Sequence, residues 1–320
     1  MSGKRIYSYK VAELTFMVAA PECYDIEELL PSFAAFRVAD VASALRQARR
    51  PDKVALEDEP EMLFRFTLQY EAIEVPAGAV MVEEDDNDMG HTRLGKTWDG
   101  SYYLELGYHD RGLSGKSHDG IFIATPDFSR ISASIATESP DCGPILTSML
   151  RIAFAQAVIL RDGISIHASA VAADGKAFLF LGKSGTGKST HARMWLRNIQ
   201  GSHLLNDDNP AIRLIDGKPV AFGTPWSGKT PCYRNESCPV GGIVRLVQSD
   251  ADIFMQKKDV AAFVALLPSC SVVHSDSALQ ARLCDTIAKI IELVPVGELK
   301  CLPDNESAII CYNNFKSLIK

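Results

Sequence analysis

The residues best equipped for chemistry form one run, Gly182-Lys183-Ser184-Gly185-Thr186-Gly187-Lys188-Ser189, followed by Thr190. The run fits G-x-x-x-x-G-K-[ST] at every fixed position, and the apolar segment Ala177-Phe178-Leu179-Phe180-Leu181 leads straight into it. This order predicts strand, loop, helix. Three glycines let the backbone close around an anion, so that successive N–H groups and the positive end of the following helix face phosphate oxygens. Lys188 then reaches the β/γ-phosphates, and the Ser189 hydroxyl is a ligand for Mg²⁺. The implied cofactor is ATP with Mg²⁺, bound by residues 182–190.

Some twenty residues on, His203-Leu204-Leu205-Asn206-Asp207-Asp208 reads as a short strand ending in two carboxylates. Acidic oxygens there can hold a nucleotide's metal or its waters, and a pair offers two roles, metal holder and proton acceptor. Before the loop, the β-prone run from Ile164 to Val171 carries His167 and turns at Asp174-Gly175, which places a histidine-bearing strand beside the nucleotide strand. A further segment, Gly223-Thr224-Pro225-Trp226-Ser227-Gly228-Lys229, is dense in turn formers and carries an aromatic and a cation. It suits a loop that presents Trp226 and Lys229 to a substrate; a plain structural turn stands beside that reading.

The elements that must position these groups fall into two regions. Residues 1–140 read as a β-rich domain, because residues 64–70, 102–106 and 131–135 alternate with period two, with turns at Asp99-Gly100 and Asp119-Gly120. The expectation is an antiparallel sheet, interrupted by a helix around residues 41–49. Residues 144–161 switch to helical spacing, with Pro144 in the first turn and Asp162-Gly163 at the end, and are expected to open a second domain over 141–320. There, residues 211–214 and 220–222 form a second hairpin, 241–247 a strand, 260–267 and 277–293 helices, and 294–299 and 308–312 closing strands. The acidic run from Glu83 to Asp88 departs from a calcium loop at Met89 and Lys96 and reads as a solvated loop. His91, His109 and His118 have no partner at metal-ligand spacing and read as surface residues.

A net charge of −7 argues against non-specific nucleic-acid binding. Eight cysteines without a C-x-x-C pair read as reduced thiols. Glu13 interrupts the apolar stretch after Lys4 and Arg5, and no uncharged apolar run is long enough for a membrane span, so a cytoplasmic chain with no membrane or nucleic-acid partner is expected.

The order of histidine hairpin, glycine loop, helix and early carboxylate pair resembles the HPr kinase/phosphorylase family and its relatives on the phosphoenolpyruvate-carboxykinase-type P-loop fold. The resemblance covers about residues 163–246 and rests on Ser165-Ile166-His167, Gly182 to Ser189 and Asp207-Asp208. It implies an α/β P-loop domain of that type with a separate β-rich N-terminal domain. Asp207 would accept the proton of a substrate hydroxyl with His167 close to it, and Asp208 would be the Mg²⁺-side carboxylate. The family's glycine-rich L-E-I-R-G-L-G-type signature and its C-terminal arginine segment are not found here, which argues against phosphorylase activity and against the family's usual protein substrate and leaves both open. The reading is therefore an ATP-dependent kinase acting on a serine-like hydroxyl of a protein, peptide or small molecule. A non-catalytic nucleotide-binding module, a carboxykinase-like enzyme and a homo-oligomeric state stay open.

Overall fold

The structure is a computed structural model that describes residues 4–38, 62–87, 90–107, 119–136 and 141–319. The helix expected around residues 41–49, together with His109 and His118, lies outside the described residues. The chain divides into two compact units, Met1–Ala157 and Val158–Lys320, and both mix sheet and helix.

The first unit holds strands β1 (Lys4–Val11), β2 (Leu14–Pro21), β3 (Arg37–Val38), β4 (Met62–Gln69), β5 (Val80–Asn87), β6 (Gly90–Lys96), β7 (Tyr102–Gly107), β8 (Gly120–Ala124) and β9 (Arg130–Ile135). They form one sheet in the order β3-β1-β2-β4-β9-β8-β7-β6-β5. The alternation read in β4 is real: Phe64, Phe66 and Leu68 are fully buried while Arg65 is exposed. Their face belongs to an aromatic core in which Phe16 stacks on Phe64 at 4.7 Å and Phe33 meets Tyr9 edge-on at 5.3 Å. The sheet is mixed, however, not antiparallel, because β4 runs parallel to both β2 and β9. Period two fixes which face a side chain takes but is silent on strand direction. Each parallel neighbour requires a long crossover, here spanning residues 22–61 and the β5–β8 meander.

Residues 83–87 of the acidic run are not a loop. They belong to the edge strand β5, in which Asp86 lies opposite His91 in register. His91 Nδ1 is 2.8 Å from Asp86 and Nε2 is 3.1 Å from Glu84, and these carboxylates raise its pKa. A strand edge with this much like charge discourages pairing with another chain. Helix α1 (Ile26–Leu29) is a single turn capped by Asp25, and α2 is Cys142–Ile159. Although α2 is long and apolar enough to cross a membrane by composition, 72% of it is buried within the fold, as a core helix would be.

The second unit contains β10 (Gly163–Ser165), β11 (Ala168–Ala173), β12 (Lys176–Leu181), α3 (Lys188–Asn198), β13 (His203–Asn206), β14 (Ala211–Ile215), β15 (Lys218–Phe222), β16 (Ser237–Gln248), β17 (Ile253–Lys257), α4 (Asp259–Leu266), α5 (Ser277–Leu293), β18 (Val296–Cys301) and α6 (Asn305–Leu318). Strand order is β10-β14-β15-β16-β12-β11-β13, with β18 also on β16 and β17 on β18. The long β16 joins two regimes. Its first half pairs antiparallel with β15, and its second half runs parallel to β12 and β18. Phe178, Phe180, Trp195, Val244, Leu246 and Phe315 fill the core between this sheet and helices α3 and α6.

Two expectations fail here. Residues 308–312, a β-prone run, belong to α6: Asp304 caps its start by accepting from Ser307 N at 3.0 Å, and Ala308, Cys311 and Phe315 bury one helical face. The apolar run from Ile164 to Val171 is also not one strand. It breaks at Ile166 and His167 into β10, which joins β14, and β11, which joins β12 and β13. None of the eight cysteines is in a disulfide.

Candidate functional site

Strand β12 ends at Leu181 and α3 begins at Lys188, so the glycine-rich run forms the connection between them. Gly185 and Gly187 have φ of +79° and +107°, values a side chain would oppose, and this is why the turn needs glycine at these two positions. Gly187 caps α3 without any side-chain hydrogen bond, so its first amides are left to other partners. The Lys188 side chain is buried and lies along the inside of the turn, with Nζ donating to Gly182 O at 3.0 Å and Lys183 O at 3.4 Å. Thr186 braces the turn through Oγ1 to Lys183 O at 2.7 Å. Lys183, Ser184 and Gly185 are exposed, while Ser189 and Thr190 are half-buried in the first turn of α3.

Strand β11 places the other groups beside this loop. It is antiparallel to both β12 and β13, so those two strands run the same way and end at the same sheet edge. Ala168 pairs with Leu181 on one side, and Ala170 with Asn206 on the other. The glycine loop and the aspartate pair therefore emerge two strand spacings apart, roughly 10 Å, with His167 entering β11 between them. The main chain holds His167 there, with its N–H on Ser269 O at 2.7 Å and the next N–H, of Ala168, on Asp208 O at 2.9 Å. The carboxyl ends of β12, β13, β16 and β18 share this edge, the side of an α/β sheet where ligands bind.

The two carboxylates differ sharply. Asp207 is 3% exposed, and both its oxygens are taken: Ser169 Oγ donates to Oδ1 at 2.9 Å and Thr230 N to Oδ2 at 3.2 Å. Asp208 is less buried, with 14% of its side chain exposed; its Oδ1 lies 3.4 Å from His167 Nε2 and its Oδ2 accepts from Asn209 Nδ2 at 3.4 Å, with His167 itself over a third exposed. His167 therefore pairs with Asp208 and not, as the family resemblance implies, with Asp207. Both aspartates lie in the bend that follows β13, where Asn206 Oδ1 accepts from the N–H groups of Asp208 and Asn209 and turns the chain between them.

The loop after β15 lies over the same turn. Gly223 has no space for a side chain, since a Cβ would stand 2.1 Å from Arg234 O and 2.9 Å from Leu205 O. Gly228 packs on Asp207 O and Asp208 Cβ, where an added Cβ would be 3.1 and 3.3 Å away. Ser227 Oγ donates to Thr230 O at 2.7 Å and accepts from Cys232 N, which closes the tip on itself. Lys229 is exposed at that tip, but Trp226 is 3% exposed and packs inward. Trp226 is a core residue here, so the expectation that it faces an acceptor is withdrawn. An indole in a Gly/Pro/Ser-rich segment is ambiguous in sequence, and burial decides it.

Sequence reasoning missed Ser169, Asn206, Thr224 and Arg245. Arg245 stands opposite Leu181 in register and donates from Nε and Nη2 to Ala265 O, and from Nη2 to Ser269 Oγ at 3.3 Å. It thereby secures the turn whose carbonyl holds His167. No motif marks these residues, because their partners are distant in sequence.

No family model matches the chain, and no curated protein does. Among solved structures, the HPr(Ser) kinase/phosphatase from Coxiella burnetii matches at 12% identity over 48% of this chain and 97% of that one, with a TM-score of 0.27. An overlap that slight decides neither fold nor chemistry.

Proposed function

We propose that the second unit is an ATP-dependent kinase of the HPr kinase-like type, transferring the γ-phosphoryl group to a hydroxyl acceptor. The observation that carries this reading is the convergence at one sheet edge of the glycine loop, Lys188 and the His167–Asp208 pair. Residues 182–190 would cradle the phosphates, and Lys188, whose Nζ is on the Gly182 and Lys183 carbonyls, would serve the β/γ-oxygens. Phosphoryl transfer asks mainly for positioning and for charge stabilisation, which this arrangement can supply.

Among the described residues no cluster of three or more His, Cys, Asp or Glu could hold a metal by itself. That fits Mg²⁺, which keeps several waters and is bound through substrate phosphates plus one or two protein oxygens. The half-buried Ser189 hydroxyl would be the chain's ligand, and the metal would neutralise charge on the nucleotide. Asp208, the less buried of the two and paired with the exposed His167, is assigned to the acceptor's proton. Asp207, closed by two donors, is assigned to holding the loop over the site. This moves the base role that the family resemblance implies from Asp207 to Asp208 and leaves neither carboxylate on the metal.

Incubation with γ-labelled ATP and a panel of serine-bearing peptides and small hydroxyl compounds tests the reading. Labelled product, lost in Lys188→Ala together with ATP binding, is the expected result. ATP binding without transfer to any acceptor or to water would reduce the protein to a nucleotide-binding module. Unchanged turnover in Lys188→Ala would remove this loop as the nucleotide site.

A further inference from the structure

Beneath both carboxylates lies Asn206, the last residue of β13, fully buried and bonded on every side. Its Oδ1 accepts from Asp208 N at 2.9 Å and Asn209 N at 2.8 Å. Its Nδ2 donates to Trp226 O at 3.0 Å and to Thr224 O and Oγ1 at 3.2 Å each. The amide orientation is unambiguous, since two N–H groups face one end and carbonyls face the other. Thr224, also fully buried, returns a bond from Oγ1 to Asn209 O at 2.7 Å, and Asn209 Oδ1 accepts from Ser165 Oγ at 2.8 Å.

We infer that Asn206 is a positioning residue that locks the turn of residues 206–209 to the loop of residues 224–230, so that Asp208 and the loop tip hold one fixed relation. This rests on the kinase reading given above. A carboxamide of this length is the side chain that does both jobs, because it carries two donors and a carbonyl with two lone pairs. An aspartate at 206 would keep the bonds to Asp208 N and Asn209 N but set a carboxylate against the Thr224 and Trp226 carbonyls. A leucine would take their Asn206 partner from the N–H groups of Asp208 and Asn209 and from the Thr224 carbonyl in the interior, at a cost for each group. The lock extends to Asp207, since Thr230 N–H, on the same loop, ends on its Oδ2. Asn206 has no hydrogen bond to residues 182–189, so its effect falls on transfer and not on nucleotide binding.

The test compares Asn206→Asp, Thr224→Val and the double variant with the unmodified chain, by three measurements. Calorimetric titration with Mg·ADP reads the nucleotide site, γ-phosphoryl release from Mg·ATP to water or to the acceptor reads transfer, and hydrogen exchange reads the amides of residues 228 and 230. Each single variant should bind Mg·ADP within about threefold of the unmodified chain. Its kcat should fall by about 10²-fold, the loss a misplacement of ~1 Å brings, and the Thr230 amide should exchange faster. The double variant should be no worse than Asn206→Asp, because residues acting as one unit are not additive. Unchanged kcat in the folded single variants would overturn the inference while leaving the kinase reading intact, and so would strictly additive losses. If Asn206→Asp does not fold, Thr224→Val, which removes a single hydroxyl, decides by the same criteria. Absence of nucleotide binding in the unmodified chain would sink the kinase reading and this inference with it, and that outcome is visible before any variant is made.

Discussion

Acid should weaken the second unit through His191, and the size of the effect follows from where its ring sits. His191 lies in the first turn of α3, three residues after Lys188, with 1% of its surface exposed. Its Nε2 accepts from Trp195 Nε1 at 3.1 Å, so the ring's single proton is on Nδ1, which is buried without a hydrogen-bond partner. Phe180 closes the other side, edge-on at 4.8 Å. Burial pushes the imidazole pKa down from 6.5 to about 4. The native ring is therefore neutral where the unfolded chain's ring has already taken a proton. Stability is at its full value above pH 6.5 and falls as pH drops toward 4, by ~1.4 kcal/mol per pH unit and ~3 kcal/mol in all. Against a typical total of roughly 5–15 kcal/mol, that is a large share. The assay is urea unfolding between pH 7.5 and 4.5, comparing the unmodified chain with His191→Gln. Trp195 fluorescence reports on the right unit, since the exposed Trp98 of the first unit changes its surroundings little. Carboxylate titrations common to both proteins cancel in the difference. The stability difference should shrink in favour of the glutamine variant with the stated slope below pH 6.5. A flat difference across this range would refute the reasoning and mean that the ring is hydrated or already paired.

The other expectations are shorter. Asp208→Asn should lower kcat by ~10²–10⁴-fold with no rescue by added Mg²⁺, whereas Ser189→Ala should raise the Mg²⁺ requirement; rescue of Asp208→Asn by magnesium would return Asp208 to the metal and Asp207 to the base. Trp226→Ala should cost ~3–5 kcal/mol, seen as a large drop in melting temperature. Lys229→Ala should leave melting unchanged while raising the acceptor's KM more than that of ATP, and the opposite pattern for the two variants would place the indole in the site and the lysine outside it.

What could be read in advance depended on how local the physics was. Strand, loop and helix around Gly185 and Gly187 were legible because the glycines serve a backbone need that a few neighbouring residues impose. Helix α5 was legible over its full length for a similar reason, since Asp276 caps it and its apolar spacing lies on one face. Residues 308–312 misled because a five-residue apolar run carries no period of its own, and the deciding facts, a cap at Asp304 and packing at Phe315, lie outside it. The parallel placement of β4 was illegible because alternation names a face and never a neighbour. The carboxylates show the same divide within one site. That two adjacent aspartates follow a short apolar run is plain in the sequence. That one is closed by Ser169 and Thr230 while the other opens on His167 depends on residues 38 and 23 positions away for Asp207. Asn206 is the extreme case, because half of its role, the bonds to Thr224 and Trp226, lies 18 and 20 residues on. An asparagine before two aspartates looks like a turn former, and only the fold turns it into the joint between two loops.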